Sequence, residues 1–175
     1  LVTYFHYIED AIDGLFDGGL LMGRVFGSGG KAITGSFQIS EGAPYFELAG
    51  GNTIAGIGYV EGVRCLIVAS NSAIKGGTMT PFGVQKTLRL QEIALQQKLP
   101  VVSMIESGGA NLMYQAELFI PGGKTFANQA RLSAAGIPQV TIVHGSSTAG
   151  GAYVPAMSDE SVIVRHQGTI FLGGP

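Results

Sequence analysis

One stretch constrains this chain more than any other. An apolar, strand-like segment, Gln139 to Val143, runs directly into His144-Gly145-Ser146-Ser147-Thr148-Ala149-Gly150-Gly151-Ala152-Tyr153-Val154-Pro155. The small residues of that run can start a helix. A strand that enters a helix through paired glycines leaves first-turn N–H groups without partners and without a Cβ in a ligand's way. Such groups attract a negative oxygen, which is how main chain alone forms an oxyanion hole. On that reading Gly150 and Gly151 are the donors. The plainer reading is tight packing of a helix start on a strand. Acidic, basic or nucleophilic side chains are sparse here. The chemistry indicated is stabilisation of an enolate or tetrahedral oxyanion, with the base brought from elsewhere.

The remaining pattern alternates strand and helix. Thr53 to Tyr59 and Val63 to Ala69 are apolar runs separated by Val60-Glu61-Gly62, a hairpin signal. Phe82 to Lys98 carries Val84, Leu88, Ile93 and Leu95 at a helical period, and Pro100 closes it. Val101 to Ile105 predicts a buried strand, Asn111 to Leu118 a helix, and Lys124 to Ala135 a second helix stopped by Gly136 and Pro138. Val140 to Val143, Ser161 to Arg165 and Thr169 to Leu172 predict strands. This order argues for parallel β-α units. Tyr7 to Leu15 predicts a short helix, and residues 1–36 are otherwise hard to place.

Charged residues make up 13% of the 175 residues, against an average of about 25%. With 46% hydrophobic residues and 28 glycines, the composition suits a globular unit with much buried surface. Net charge is −2 and there is no basic run, so nucleic-acid binding has no electrostatic support. A single cysteine, Cys65, excludes an internal disulfide framework and lies in an apolar run, as a buried thiol would. No apolar stretch reaches the ~18–20 residues of a membrane span. The N-terminus has no basic n-region and reads as neither signal nor transit peptide; a removed targeting segment stays open.

Two motifs are decoys. Gly122-Gly123-Lys124-Thr125 imitates the end of a P-loop, but Leu118 stands where the first glycine belongs. Gly145-Ser146-Ser147-Thr148-Ala149 imitates a nucleophile elbow, but Ala149 replaces the second glycine and no triad spacing accompanies it. No His, Cys, Asp or Glu cluster has metal spacing, so no metal is expected. Glu106, at a strand end, is a candidate general base, and His144 a candidate pocket residue.

The segment Ser147-Thr148-Ala149-Gly150-Gly151-Ala152-Tyr153-Val154-Pro155-Ala156-Met157-Ser158-Asp159-Glu160 resembles the carboxyltransferase subunit of biotin-dependent acyl-CoA carboxylases, especially the methylcrotonoyl-CoA and geranyl-CoA type. Ala73-Ile74-Lys75-Gly76-Gly77-Thr78, Glu106-Ser107-Gly108-Gly109-Ala110-Asn111-Leu112, Asn128 to Pro138, and Gln167 to Pro175 agree with it. The resemblance runs from about residue 45 to the end. It implies a crotonase (ClpP-like) α/β fold of ββα units stacked as a spiral. Residues 41–175 would be the N-terminal domain of a longer carboxyltransferase subunit, with 1–40 unassigned. Gly150 and Gly151 would hold the thioester oxygen. Ser107, Gly108, Gly109, Ala110, Asn111, Ser147, Thr148 and Ala149 would lie against the acyl-CoA, and Lys75 would meet its phosphates.

The implied cofactors are biotin, as carboxybiotin on a partner subunit or domain, and coenzyme A as part of the substrate. The implied partners are a biotin carboxylase or biotin carboxyl carrier subunit and further copies of the chain, with no nucleic acid and no membrane. The compartment would be cytoplasmic in a bacterium and the mitochondrial matrix in a eukaryote. The isolated chain is expected not to transfer CO2. Two readings stay open beside this one: another crotonase-fold CoA-ester enzyme (hydratase, hydrolase or decarboxylase) using Glu106 or His144 as base, and a non-catalytic assembly module.

Overall fold

The computed structural model describes three N-terminal strands, Val2–Tyr7 (β1), Leu21–Phe26 (β2) and Phe37–Gln38 (β3), and then residues 52–173. The three strands form an antiparallel sheet in the order β1-β2-β3. The helix expected from Tyr7 is corrected at its first residue. Tyr7 ends a strand whose β-branched and aromatic residues favour extended backbone. Residues 8–15 lie outside the described residues.

The main sheet has six strands. Thr53–Val60 (β4) and Val63–Ser70 (β5) form the expected hairpin. Its two loop residues, Glu61 and Gly62, both have positive φ, as a tight turn matched to strand twist requires. Then come Val101–Ser107 (β6), Gln139–Thr148 (β7) and Glu160–Ile163 (β8), each parallel to its neighbour. Thr169–Phe171 (β9) pairs with the far end of β7.

Three helices connect these strands: Pro81–Gln97 (α1), Gln115–Ala134 (α2) and Gly150–Ala156 (α3). Thr80 caps α1 by accepting from the Gly83 N–H, with Pro81 at the first helical position. Lys98 closes it in the left-handed conformation. Leu66, Ala94, Leu99, Val101, Leu132 and Ile137 form a core between the helices and one face of the sheet. Cys65, Ile67 and Met104 pack on the other face. The switch of face from Cys65 to Leu66 to Ile67 follows from the two-residue period of a strand. Burial pushes the Cys65 thiol up from its ordinary value.

Two expectations need correction. The helices predicted on either side of 119–123 are one continuous helix, with Pro121 inside it and only a 3-10 turn, Leu112–Tyr114, before it. Burial of Leu118, Gly122, Thr125, Gln129 and Leu132 along one side offsets the break that Pro-Gly-Gly encodes. The P-loop imitation is therefore helix interior. The second correction is that β7 extends to Thr148, five residues beyond Val143. Its polar end is held by pairing with β6 and β9, not by apolar content.

Among the described residues no helix is long and apolar enough to cross a membrane, and no group of three potential metal ligands occurs. Leu132 joins α2 to the sheet at 2% exposure. Leu132→Ala should cost about 2–5 kcal/mol, read as a lower urea midpoint at an unchanged slope.

Candidate active site

Three segments distant in sequence meet at the carboxyl ends of β6 and β7. The first is the turn Lys75–Thr78 after β5. The second is Ser107–Asn111, which leaves β6. The third is Ser147–Gly151, where β7 becomes α3. Ser107 joins them. Its buried hydroxyl donates to the Gly77 carbonyl at 3.0 Å and accepts from the Gly109 N–H at 3.2 Å. That hydroxyl therefore bridges two loops.

Backbone bonds complete the junction. The Gly108 N–H donates to the Gly76 carbonyl, Met79 N–H to the Gly109 carbonyl, and Asn111 N–H to the Met79 carbonyl. The Thr148 hydroxyl reaches the Ser107 carbonyl at 3.4 Å.

Gly151 sits directly against this hub. A Cβ there would lie 2.8 Å from the Ser107 Cβ and 3.0 Å from its Oγ, so the close approach requires glycine. Gly150 is under no such demand; a Cβ there would meet only the Phe126 ring edge, at 3.7 Å. The packing explanation therefore accounts for Gly151 but leaves Gly150 unexplained.

The corner between them and β7 is Ala149, at φ 47° and ψ −120°. Non-glycine residues rarely adopt this conformation, and such strain concentrates at functional sites. It turns the chain from strand to helix within one residue. The Ala149 N–H is fixed to the Phe171 carbonyl of β9 at 3.0 Å. The N–H groups of Gly150 and Gly151 come next, in the first turn, where a helix provides no acceptor.

The other expected site residues fall around this corner. Ala110 bridges to Met79. Asn111 uses its side-chain oxygen to cap the 3-10 turn through the Met113 N–H at 3.1 Å. Lys75 is exposed, with Nζ 3.2 Å from the Tyr114 hydroxyl and 5.0 Å from that ring's centroid. Ser147 is fully buried, and its hydroxyl has no hydrogen-bond partner among the described residues. It belongs to the strand and is no elbow nucleophile.

Sequence reasoning missed two supports. Phe126 stacks on Tyr153 with ring centroids 4.8 Å apart, beside Gly150. Gln129 donates to the Val154 carbonyl, and Gln139 donates to Gln129 and Ser133, tying α3 to α2 and β7. The one available signal was a glutamine opening an apolar strand.

Two cavities flank the junction. A narrow one of about 130 Å³ runs between sheet and helices and reaches Gly150, Gly151 and Phe126. An open cleft of about 660 Å³ lies at the strand ends, against Gly76, Glu106, Gly108, Ser146, Thr148 and Phe171. Glu106 lines the cleft with its carboxylate turned toward His144, Nδ1 to Oε2 3.8 Å. Burial lowers the His144 pKa from its ordinary 6.5, while the Glu106 charge and a main-chain hydrogen bond at Met104 oppose the shift.

Residues 37–175 match the carboxyl transferase domain. The chain belongs to the carboxyl transferase family. This carboxyl transferase domain is 57% identical over 132 residues to the methylcrotonoyl-CoA carboxylase beta chain of Dictyostelium discoideum, covering 74% of the chain and 22% of that relative. It is 53% identical over 153 residues to the biotin-dependent 3-methylcrotonyl-coenzyme A carboxylase beta1 subunit of Mycobacterium tuberculosis, covering 78% and 29%. The beta subunit of P. aeruginosa geranyl-CoA carboxylase superposes with a TM-score of 0.71 at 62% identity, over 78% of this chain and 28% of that one. The chain thus spans between 22% and 29% of the length of these relatives. Their fold is the crotonase-like α/β architecture the sequence led us to expect.

Two outcomes test the geometry. Gly151→Ala should lose about 1–3 kcal/mol through overpacking on Ser107, whereas Gly150→Ala should leave the melting temperature unchanged. Stability should also fall with acid because of His144. Its folded pKa lies below 6.5, so the unfolded chain binds the extra proton between that lowered value and 6.5. Stability therefore declines as pH drops through this window and levels off below it. His144→Asn should flatten that part of a denaturation-versus-pH curve.

Proposed function

We propose that this chain forms the acyl-CoA side of a carboxyltransferase site. The protein carrying it would move a carboxyl group from carboxybiotin to a branched enoyl-CoA such as 3-methylcrotonoyl-CoA. The observation that carries the reading is the corner at Ala149. In hydrolases a strained strand-to-helix corner holds a nucleophilic serine, and the next residue's N–H serves the oxyanion. Here a methyl group occupies the nucleophile's place, and Gly150 supplies the next N–H. The arrangement keeps oxyanion stabilisation and omits covalent attack.

The chemistry follows from that arrangement. A proton leaves the acyl group, and the C–H electron pair moves through the conjugated system onto the thioester oxygen. The N–H groups of Gly150 and Gly151 hold the negative oxygen that results. The electron pair then returns to form the new C–C bond with CO2. Bound carboxybiotin supplies that CO2 and the acceptor for the proton. This fits a site whose corner residue, Ala149, is neither acid nor base.

Lys75 would reach the CoA phosphates, and the turns at Ser107–Asn111 and Ser147–Ala149 would line the thioester. The relatives' names and the Ala152-Tyr153-Val154-Pro155-Ala156-Met157 segment support a branched, unsaturated acyl group. Partners would be a biotin-carrying subunit and further copies of the chain. The exposed apolar residues Leu112, Met113, Phe119 and Ile120 suit burial in such contacts. One observation favours the hydratase-type alternative: Glu106 opens on the larger cleft.

The test is carboxyl transfer by the protein carrying this domain, with propionyl-, 3-methylcrotonoyl- and geranyl-CoA. A branched unsaturated thioester should be preferred. Gly150→Pro removes one donor and, because proline confines the residue before it to extended backbone, also displaces the Ala149 corner. It should lower kcat by at least about 10²-fold. Gly151→Pro is a poorer probe, because its ring would strike Ser107. Unaltered turnover in Gly150→Pro would remove the oxyanion assignment.

A further inference from the structure

The strand pairing contains an irregularity immediately before the site. Ile105 pairs with Val143, and the next pair is Ser107 with Ser147. β6 advances two residues while β7 advances four, so His144-Gly145-Ser146 bulges out of register opposite Glu106. Bulges bend a strand and re-aim the residues beyond the bend. In β7 those residues are Ser147–Gly151.

The bulge is filled by one side chain. A Cβ at Gly145 would overlap the carboxyl carbon of Glu106 and lie 2.6 Å from its Oε1, so Glu106 lies directly on the Gly145 backbone. The same carboxylate faces His144 Nδ1 at 3.8 Å, and both side chains are partly enclosed. Glu106 is covalently next to Ser107, the residue against which Gly151 packs. One acidic side chain thus touches the bend of β7 while its neighbour touches the end of the turn that the bend aims.

We propose that Glu106, seated on Gly145 and facing His144, is a positioning residue that sets the angle at which β7 delivers Gly150 and Gly151 to the reacting carbonyl. It acts through the bulge and exchanges no proton with substrate. Only the kinetic readout rests on the carboxyltransferase reading. The structural content concerns the β6–β7 junction alone.

The experiment compares Glu106→Ala, Glu106→Gln and His144→Ala in the protein carrying this domain. It measures kcat, KM and the pH profile, together with amide hydrogen exchange over 145–152. Glu106→Ala empties the bulge. It should speed exchange there and lower kcat by about 10²-fold, the scale of a misplaced catalytic group, with a smaller change in KM. Glu106→Gln keeps the volume and should retain most of kcat with an unshifted pH profile. His144→Ala, which leaves Glu106 on Gly145, should raise exchange modestly and keeps the test open if Glu106→Ala does not fold.

Loss of activity in Glu106→Gln equal to that in Glu106→Ala, with the loss of a titrating limb, would overturn positioning in favour of a general base. Unchanged exchange and kcat in the alanine variants would overturn it outright. A wild-type protein inactive on every acyl-CoA would instead count against the reaction assigned, and the exchange data would still decide the positioning role.

Discussion

The site depends on one hydroxyl. Ser107 Oγ donates to the carbonyl of the first loop and accepts from an N–H of its own, and the same side chain is the surface on which Gly151 rests. A buried hydrogen bond contributes little net stability, but a missing partner costs about 1–3 kcal/mol for each group left unsatisfied. Without Ser107, one carbonyl and one N–H lose their partner, and the start of α3 loses its backstop. Together with the backbone bonds from Gly108 to Gly76 and from Met79 to Gly109, this hydroxyl holds the loops in one arrangement, because the alternative leaves polar groups unpaired.

Strand alternation divides the labour around that hub. Ser107 faces the helices, and Glu106, one residue earlier, faces the other way. The helix side holds the main core, with Leu66, Leu132 and Val101 fixing α1 and α2. The opposite side holds a smaller cluster around Met104 and, beyond it, the Glu106–His144 pair at the open cleft. A rigid apolar layer therefore backs the start of α3, while Glu106 and His144 stand on the more solvated face. This is consistent with a site that stabilises charge through main chain and keeps side-chain proton transfer out of the immediate corner.

Much of this was legible in the residues. The β4–β5 hairpin announced itself through apolar runs around Glu61-Gly62. The failures have physical causes. Pro121-Gly122-Gly123 has the local preference of a break, and only burial of α2 along the sheet overrides it. The end of β7 is written in Gly, Ser and Thr, and its strand character comes from partners on β6 and β9 distant in sequence. Local pattern contains no information on either. Nor could it show that Gly145 faces Glu106, a contact created by a register shift.

The imitation of a nucleophile elbow was the most instructive decoy. Read by motif, Ser147 is the nucleophile and Ala149 a disqualifying substitution. In the folded chain Ser147 is sealed in the sheet, and the strained corner falls two residues later, at Ala149. The likeness to an elbow was therefore real, but displaced along the chain. A positive-φ corner at a non-glycine residue costs on the order of 1–3 kcal/mol, held here by the Ala149 N–H on Phe171 and by contact with Gly109. That strain secures the direction of the N–H groups after it. A serine at the corner would add a nucleophile; alanine offers no group to attack with. In the proposed function that would suit an enolate, whose charge is held while a carbon, not the enzyme, forms the next bond.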